Sequence, residues 1–347
     1  MGWGRRVSPV RSAGRDRDRV GPKGQHARTH DGRERPDRVI RACGSKRSIF
    51  VTLAGAFLVA AVLGWALAGH RDEFATALDA APIWVLLLAA ALQILALVSR
   101  SEAWHTSVLA AGGTVSRRTL LRAAGIGNLA TVVNHQVATA ARIAVLRRSA
   151  PDDTPRVPAL IAAEVPIISV EAALAAIASF TLVGPLGLPW WLPLVCLSVA
   201  ALLFVGLRRL AGSKKRECWK GLAVLRSLRG RNRLVALVLV AVFSQILRNW
   251  LMLHAVGVDA SLFDATAVLI AMVTLSQLPV GPSVGAAAVV LILGTNGVAA
   301  TAAAGVLLTA TGVAGALCFA TWAALDRFHP RVPQIPAPEP VAPEPAR

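Results

Sequence analysis

The sequence predicts an all-α fold, a polytopic helical membrane protein with about six full spans plus two re-entrant or broken helical segments. Hydrophobic residues make up 55% of the 347, and the mean hydropathy is +0.57. Several apolar runs approach or exceed the ~20 residues that cross a bilayer. Basic residues lie almost entirely in the N-terminal region and in loops between these runs, so the net charge of +18 indicates membrane orientation rather than nucleic-acid binding.

The composition divides the chain into three parts. Residues 1–47 are rich in Arg, Gly, Pro and Asp without an apolar period, which predicts a disordered basic cytoplasmic tail. Residues 48–328 form the polytopic membrane domain. Residues 329–347 contain the extended sequence PQIPAPEPVAPEPAR, which predicts a Pro-rich cytoplasmic tail.

The predicted spans are the long apolar runs 48–69, 82–98, 159–183, 190–207, 234–256 and 298–325. Between the first two we expect a short outer loop. Tryptophan prefers the membrane interface, and four of them fall on the same predicted outer face: Trp65, Trp84, Trp190 and Trp191.

Segment 120–140 carries arginine at both ends, with Arg117, Arg118 and Arg122 around its start and Arg142, Arg147, Arg148 and Arg156 after it. Basic residues beside membrane segments stay on the cytoplasmic side, so this segment is predicted to dip into the bilayer and return. Its polar and glycine residues indicate a lining surrounded by protein or water: Gly125, Gly127, Asn128, Asn134, His135 and Gln136.

A second broken region consists of the apolar runs 262–278 and 286–293, which meet at LPVGPSVG. We expect it to enter from the outer face, as the inverted counterpart of segment 120–140. Discontinuous helices of this kind mark the substrate site of inverted-repeat transporters. This topology places both termini in the cytoplasm and the protein in the plasma membrane.

The loop 208–233 holds ten basic residues and one acid. It is expected inside, lying on the lipid surface as a basic helix whose apolar residues are inserted: Trp219, Leu222, Leu225 and Leu228.

Charged residues inside the predicted spans are the main candidates for function. Glu164 and Glu171 are seven residues apart and share a helix face. At 1.5 Å per residue, Glu171 lies about 18 Å and Arg248 about 21 Å into their spans, which predicts an ion pair. Such a pair either fixes helix packing or allows Arg248 to exchange its glutamate for a lipid phosphate. Arg100 is expected to snorkel to the interface and contact Glu102.

Arg142 closes the re-entrant segment, where a half-helix end and a cation could hold an anionic headgroup. The candidate substrate-binding residues are Arg142, Arg248, Glu171, Glu164, Asn128, His135, Gln245 and Asn249. The cysteines are scattered, and no Gly-rich phosphate loop, Ser/His/Asp set or HExxH motif occurs. We therefore expect no catalytic residues, no metal and no cofactor.

Several sequence stretches occur in an order that resembles the lysylphosphatidylglycerol synthase transmembrane region, a flippase-like integral membrane protein family: RSEAWHTSVLAAGGTVSRRTLLRAAGIGNLATVV, ARIAVLRR, AEVPIISVEAAL, QILRNWLMLHAVGVDASLFDA and LPVGPSVG. The resemblance covers about residues 48–328 and includes no aminoacyl-transferase domain. It implies a polytopic domain with re-entrant segments that moves aminoacylated or other anionic lipids between leaflets. It does not imply lipid aminoacylation by this chain alone.

Three functions remain open at this stage. The first is a flippase-like protein that translocates or binds an anionic or lipid-linked substrate, with membrane lipids as its partners and no nucleic acid. The second is a non-catalytic membrane partner of a separate lipid synthase or glycosyltransferase. The third is an integral membrane enzyme acting on a lipid phosphate, which would need a positioned base or metal cluster.

Overall fold

The computed structural model describes residues 57, 61, 69–130, 135–211, 217–225, 227–275, 284–294 and 297–326. Within these ranges the chain forms helices and no strands, which confirms the predicted all-α class. The α-helices are α1 Arg71–Asp79, α2 Ile83–Ala110, α3 Arg117–Ala130, α4 His135–Ser149, α5 Val157–Ala162, α6 Val165–Ala178, α7 Val183–Leu186, α8 Trp191–Ala211, α9 Leu228–Ala255, α10 Leu262–Leu275, α11 Val284–Leu293 and α12 Val298–Leu325.

Among the described residues, five helical segments are long and apolar enough to cross a membrane: Ile83–Ala110, Val157–Leu186, Trp191–Leu210, Leu228–Ala255 and Val298–Leu325. They match five of the six predicted spans. The sixth, 48–69, lies outside the described residues apart from two positions. Val157–Leu186 is a composite of α5, α6, the 3₁₀ turn Ser179–Leu182 and α7. Pro158 and Pro166 stand at the starts of α5 and α6, where a missing N–H costs least.

Helices α2 and α9 pack closely along their lengths, and α12 lies against α2. The bundle has two apolar cores. One contains Met252, Leu253, Val268, Val289 and Leu308. The other contains Trp104, Leu120, Leu146, Leu160 and Leu234, near the end of the bundle marked by Arg117, Arg118, Arg122 and Arg233. We call this the arginine-rich end.

The predicted re-entrant segment forms a pair of short packed helices, α3 and α4. Each is about 21–23 Å long at 1.5 Å per residue, shorter than the ~30 Å hydrocarbon core. The residues flanking the pair are joined, because Thr114 donates to Asp153 from its amide (3.0 Å to the carbonyl oxygen) and from its hydroxyl (2.7 Å to Oδ1). Both ends of the pair therefore lie at the same end of the bundle, as a hairpin that dips and returns requires.

Small residues allow the two helices of this hairpin to approach closely. A Cβ added at Gly127 would lie 2.8 Å from Cβ of Arg142, so the helices cross where glycine leaves room. A Cβ at Gly125 would lie 2.7 Å from Cβ of Ala323, which places α3 directly against α12. Close approach through small residues is typical of helix packing in membranes.

The second broken region is also present as two short helices, α10 and α11, which pack against each other. The LPVGPSVG turn between them lies largely outside the described residues. Helix α10 packs against α9, and α11 packs against α12. This pair therefore adjoins the two helices that supply Arg248 and its backbone partner, as described below.

The connection predicted as an outer loop contains the helix α1, whose Phe74 and Leu78 pack against the core of α9 and α12. The expectation that the basic loop inserts its apolar residues into lipid was wrong for Leu222 and Leu225. In the basic loop, the 3₁₀ helix Glu217–Leu225 buries Leu222 and Leu225 in the protein core rather than in lipid. This 3₁₀ helix packs against α2, α5 and α8. Leu228 is exposed, while the side chain of Trp219 lies outside the described part of the structure.

Helix α8 differs from the others because its apolar side chains point outward. Leu202 is 73% exposed and Leu203 is 59% exposed. The tryptophans Trp84, Trp190 and Trp191 are also exposed, at the beginnings of α2 and α8, whereas Trp65 lies outside the described residues. These exposed apolar and tryptophan side chains fit contact with lipid.

Candidate functional site

Arg142 of α4 and Glu164, at the break between α5 and α6, form a buried ion pair. Nη2 of Arg142 donates to Oε1 of Glu164. The guanidinium carbon also lies 4.3 Å from the ring centroid of Trp104, on α2, in a cation–π contact. Arg142 is 9% exposed and Glu164 is 6% exposed. The pair thus joins the hairpin to α5, α6 and α2 and neutralises both charges.

A second ion pair joins Arg100 of α2 to Glu171 of α6, with 2.7 Å between Nη1 and Oε1. The expected pair of Glu171 with Arg248 was therefore wrong, and so was the expected contact of Arg100 with Glu102. Counting residues along a span gives the height of a side chain but not the direction it faces. At this height Glu171 faces α2.

The carboxylates at the arginine-rich end are paired as well. Glu102 accepts a hydrogen bond from Nε of Arg117 and lies 3.9 Å from Nη2 of Arg233. Asp326, directly after α12, accepts hydrogen bonds from Arg118 and Arg122 of α3. The hydrogen bond from Arg118, with that from Arg122, holds the pKa of Asp326 below its usual range despite the opposing effect of burial. This contact ties the base of the hairpin to the last span.

Arg248, on α9, is buried at 4% exposure with only neutral groups as hydrogen-bond partners among the described residues. Its Nη1 donates to Oε1 of Gln93 and to Oε1 of Gln245, the latter at 2.9 Å. Its Nη2 donates to the backbone carbonyl of Leu308. Gln245 also donates from Nε2 to Oε1 of Gln93 at 2.8 Å. No described carboxylate lies within 4.0 Å of the guanidinium.

Two glycines of α12 make room for this cluster. A Cβ at Gly312 would lie 3.1 Å from Nη2 of Arg248, and a Cβ at Gly315 would lie 2.8 Å from Cγ of Gln93. Gly312 and Gly315 are three residues apart and so lie on one face of the helix. The sequence TGVAG of α12 therefore positions the guanidinium and the amide against a helix backbone.

Several buried polar atoms have no hydrogen-bond partner in the described part of the chain. They are Nε1 of Trp104, Nε of Arg142, Nε of Arg248 and both amide atoms of Asn249. Asn249 is only 1% exposed. A buried polar atom without a partner costs about 1–3 kcal/mol, so these side chains carry hydrogen-bonding capacity that the described residues do not use.

The predicted candidates thus fall into two groups. Arg142, Glu164 and Glu171 lie near one another, as do Arg248, Gln245 and Asn249. Asn128 is half-buried on α3. His135 begins α4, and its side chain lies outside the described part of the structure.

The candidate list from the sequence left out three residues that complete these groups, Gln93, Arg100 and Trp104. All three lie on α2, and the spacing of seven between Gln93 and Arg100 was a signal that they share a face. This face of α2 contacts Glu171 at one end and Arg248 at the other. Arginines supported by amides on facing membrane helices can bind an anion.

No protein-family model matches the chain, and neither a curated protein nor a solved structure matches it.

Proposed function

We propose that this integral membrane protein binds an anionic lipid through its phosphate and moves it between the leaflets of the plasma membrane. The observation that carries the proposal is Arg248, a buried arginine of a membrane span whose described partners are neutral. A phosphate would supply the missing negative charge.

Keeping the charge of Arg248 in a membrane span without a described counter-charge costs free energy. An arginine in the centre of a membrane helix costs at least about 2.5–3.5 kcal/mol on insertion scales. Two glutamines and a carbonyl reduce that cost through their dipoles but leave the net charge. Purely structural packing at this position would be met by an apolar residue at lower cost, so a charged ligand is the simplest reason to keep arginine there.

The chemistry of the guanidinium favours a phosphate. Arginine stays charged and can donate two parallel hydrogen bonds to phosphate oxygens. The ligand's acyl chains can remain in the bilayer while the headgroup enters the bundle. Two pairs of short helices, α3 with α4 and α10 with α11, flank the region. The resemblance to the flippase-like family supports the same function.

The test is lipid exchange between leaflets in proteoliposomes, with fluorescent phosphatidylglycerol, its lysyl form or a polyprenyl phosphate as the probe. The wild type should exceed empty liposomes for at least one of them. R248Q should lower that rate about tenfold, which is the effect of one charge-assisted hydrogen bond. R248K should also be impaired, because lysine keeps the charge but not the planar fork.

R229Q is the matched control, because it removes an exposed arginine from the first turn of the same helix. It should exchange lipid at the wild-type rate. Wild-type rates equal to empty liposomes with all three probes would contradict translocation of these lipids. The alternative of a non-catalytic partner of a separate synthase or glycosyltransferase would then gain support.

A further inference from the structure

The ion pair between Arg100 and Glu171 joins two helical segments that are long enough to cross a membrane, and both side chains are partly exposed. Glu171 is fourteen residues from the first and fifteen from the last residue of Val157–Leu186. Arg100 is ten residues, or about 15 Å, from the end of α2. The Arg100 side chain is 34% exposed and that of Glu171 is 26% exposed.

This exposure is unusual for an ion pair within two membrane-spanning helices. Ionisable residues within membrane helices face the protein interior or a water-filled cavity, because acyl chains cannot solvate them. The neighbouring pair follows the rule, with side chains of Arg142 and Glu164 that are 11% and 9% exposed. The opening at Arg100 and Glu171 therefore suits water or a polar headgroup rather than acyl chains.

We propose that Arg100 and Glu171 form a lateral portal at which a lipid phosphate replaces Glu171 as the partner of Arg100. This inference rests on the proposed function, and it adds where the headgroup enters and which residue competes with it. Carboxylate and phosphate use the same guanidinium donors, so one can displace the other without leaving the arginine unpaired. Glu171 keeps Arg100 neutralised while no lipid is bound.

The face of α2 connects this portal to Arg248. Gln93 is two helical turns from Arg100, about 10 Å along the axis, and its Oε1 accepts hydrogen bonds from both Arg248 and Gln245. A phosphate leaving Arg100 would meet Gln93 and then Arg248. Arg100 of α2 would therefore be the first arginine that the phosphate meets, and Arg248 of α9, next to the same face of α2, would be the second.

The test compares two neutral variants of the same pair, R100Q and E171Q, in the purified full-length protein. Native mass spectrometry would measure retained phosphatidylglycerol, with phosphatidylcholine as the zwitterionic reference. R100Q should lower retention of phosphatidylglycerol about tenfold, since it removes a charged donor. E171Q should raise retention about threefold or more, since it removes the competing carboxylate. R233Q is the control, because it removes an exposed arginine that also approaches a carboxylate, Glu102.

Opposite changes of lipid retention in R100Q and E171Q would distinguish a portal from an ion pair that only stabilises helix packing. If R100Q and E171Q both lower retention together with the melting temperature, the pair only braces α2 against α6 and the portal is refuted. If R100Q fails to fold, unchanged or reduced retention by folded E171Q refutes it equally. Binding of glycerol 3-phosphate with an affinity equal to that of phosphatidylglycerol would assign the site to a soluble anion and refute the lipid portal.

The result of the lipid-retention test can be distinguished from the result of the lipid-exchange test of the proposed function. Normal retention by R100Q, together with lost lipid exchange in R248Q, would refute the portal and leave translocation standing. Absence of lipid exchange in the wild type would contradict translocation, whatever the two portal variants retain.

Discussion

Arg142 and Arg248 are both buried arginines in this bundle, but the protein compensates their charges differently. Arg142 pairs with a carboxylate, Glu164, and lies against the ring of Trp104. Arg248 is held by the amides of Gln93 and Gln245 and by a backbone carbonyl. The first arrangement neutralises the charge, whereas the second solvates it with dipoles and leaves it in place.

This difference indicates different roles for the two arginines. A neutral, enclosed pair has its charges compensated without a ligand and suits a structural joint between the α3–α4 hairpin and its neighbours. A cation held only by dipoles can still attract an anion. Both Arg142 and Arg248 were expected to bind the headgroup, and the contrast makes Arg248 the stronger candidate.

The largest expected difference between the two regions concerns stability. R142Q leaves Glu164 buried without a counter-charge, which should lower the free energy of unfolding by about 3–5 kcal/mol. R248Q removes a cation from neutral partners and should cost less, about 1–3 kcal/mol. Unfolding of the detergent-solubilised variants by denaturant would measure both.

The double variant R142Q/E164Q serves as the control, because it removes both charges of the pair and should recover much of the loss from R142Q. The coupling between the two residues should be about 0.5–3 kcal/mol. A cost of R248Q equal to or above that of R142Q would contradict the distinction between a compensated and an uncompensated arginine.

A second prediction tests the packing that positions Gln93 beside Arg248. In G315A the added Cβ would lie 2.8 Å from Cγ of Gln93, so the amide must shift or α12 must move away from α2. Overpacking of this kind costs about 1–3 kcal/mol. Thermal unfolding in detergent would measure the loss of stability, and lipid exchange should fall with it.

Gly206, in the exposed helix α8, provides the matched control, since a Cβ there meets nothing within 4 Å. G206A should change stability by less than about 1 kcal/mol. Equal effects of G315A and G206A would show that the close approach of α12 to Gln93 is unimportant for this region.

The smallest expected effect is a pH dependence confined to the arginine-rich end. Hydrogen bonds from Arg118 and Arg122 lower the pKa of Asp326 in the folded protein. Its contribution to stability is therefore present above the unfolded value, about 3.9, and is lost as the pH falls through the lower folded value. Arg248 has no described carboxylate partner and should show no such acid loss.

Melting temperatures of the wild type and D326N across pH 3–7 would check this. The wild type should melt higher near pH 7, and the difference should shrink toward acidic pH as Asp326 becomes neutral. A difference that stays constant, or that grows toward low pH, would show that the contact of Asp326 with α3 does not depend on its charge.

The apolar runs and the positions of the arginines were enough to predict the five spans among the described residues and the hairpin. Residues 298–325 were predicted as a span and form α12 with the same bounds. The hairpin followed from arginines on both sides of a short segment, and its flanks are joined through Thr114 and Asp153. These features depend on transfer of apolar length into a bilayer, which is a property of local sequence.

The tertiary structure decided which charged side chains meet. The heights of Glu171 and Arg248 agreed, yet Glu171 pairs with Arg100 and Arg248 with amides, because rotation of a helix about its axis depends on its neighbours. Gly312 and Gly315 leave room for Arg248 and Gln93, which are distant in sequence, so the role of these glycines is visible only in the packed structure. Hydropathy fixes how deep a residue lies, whereas packing between helices fixes the direction in which its side chain points.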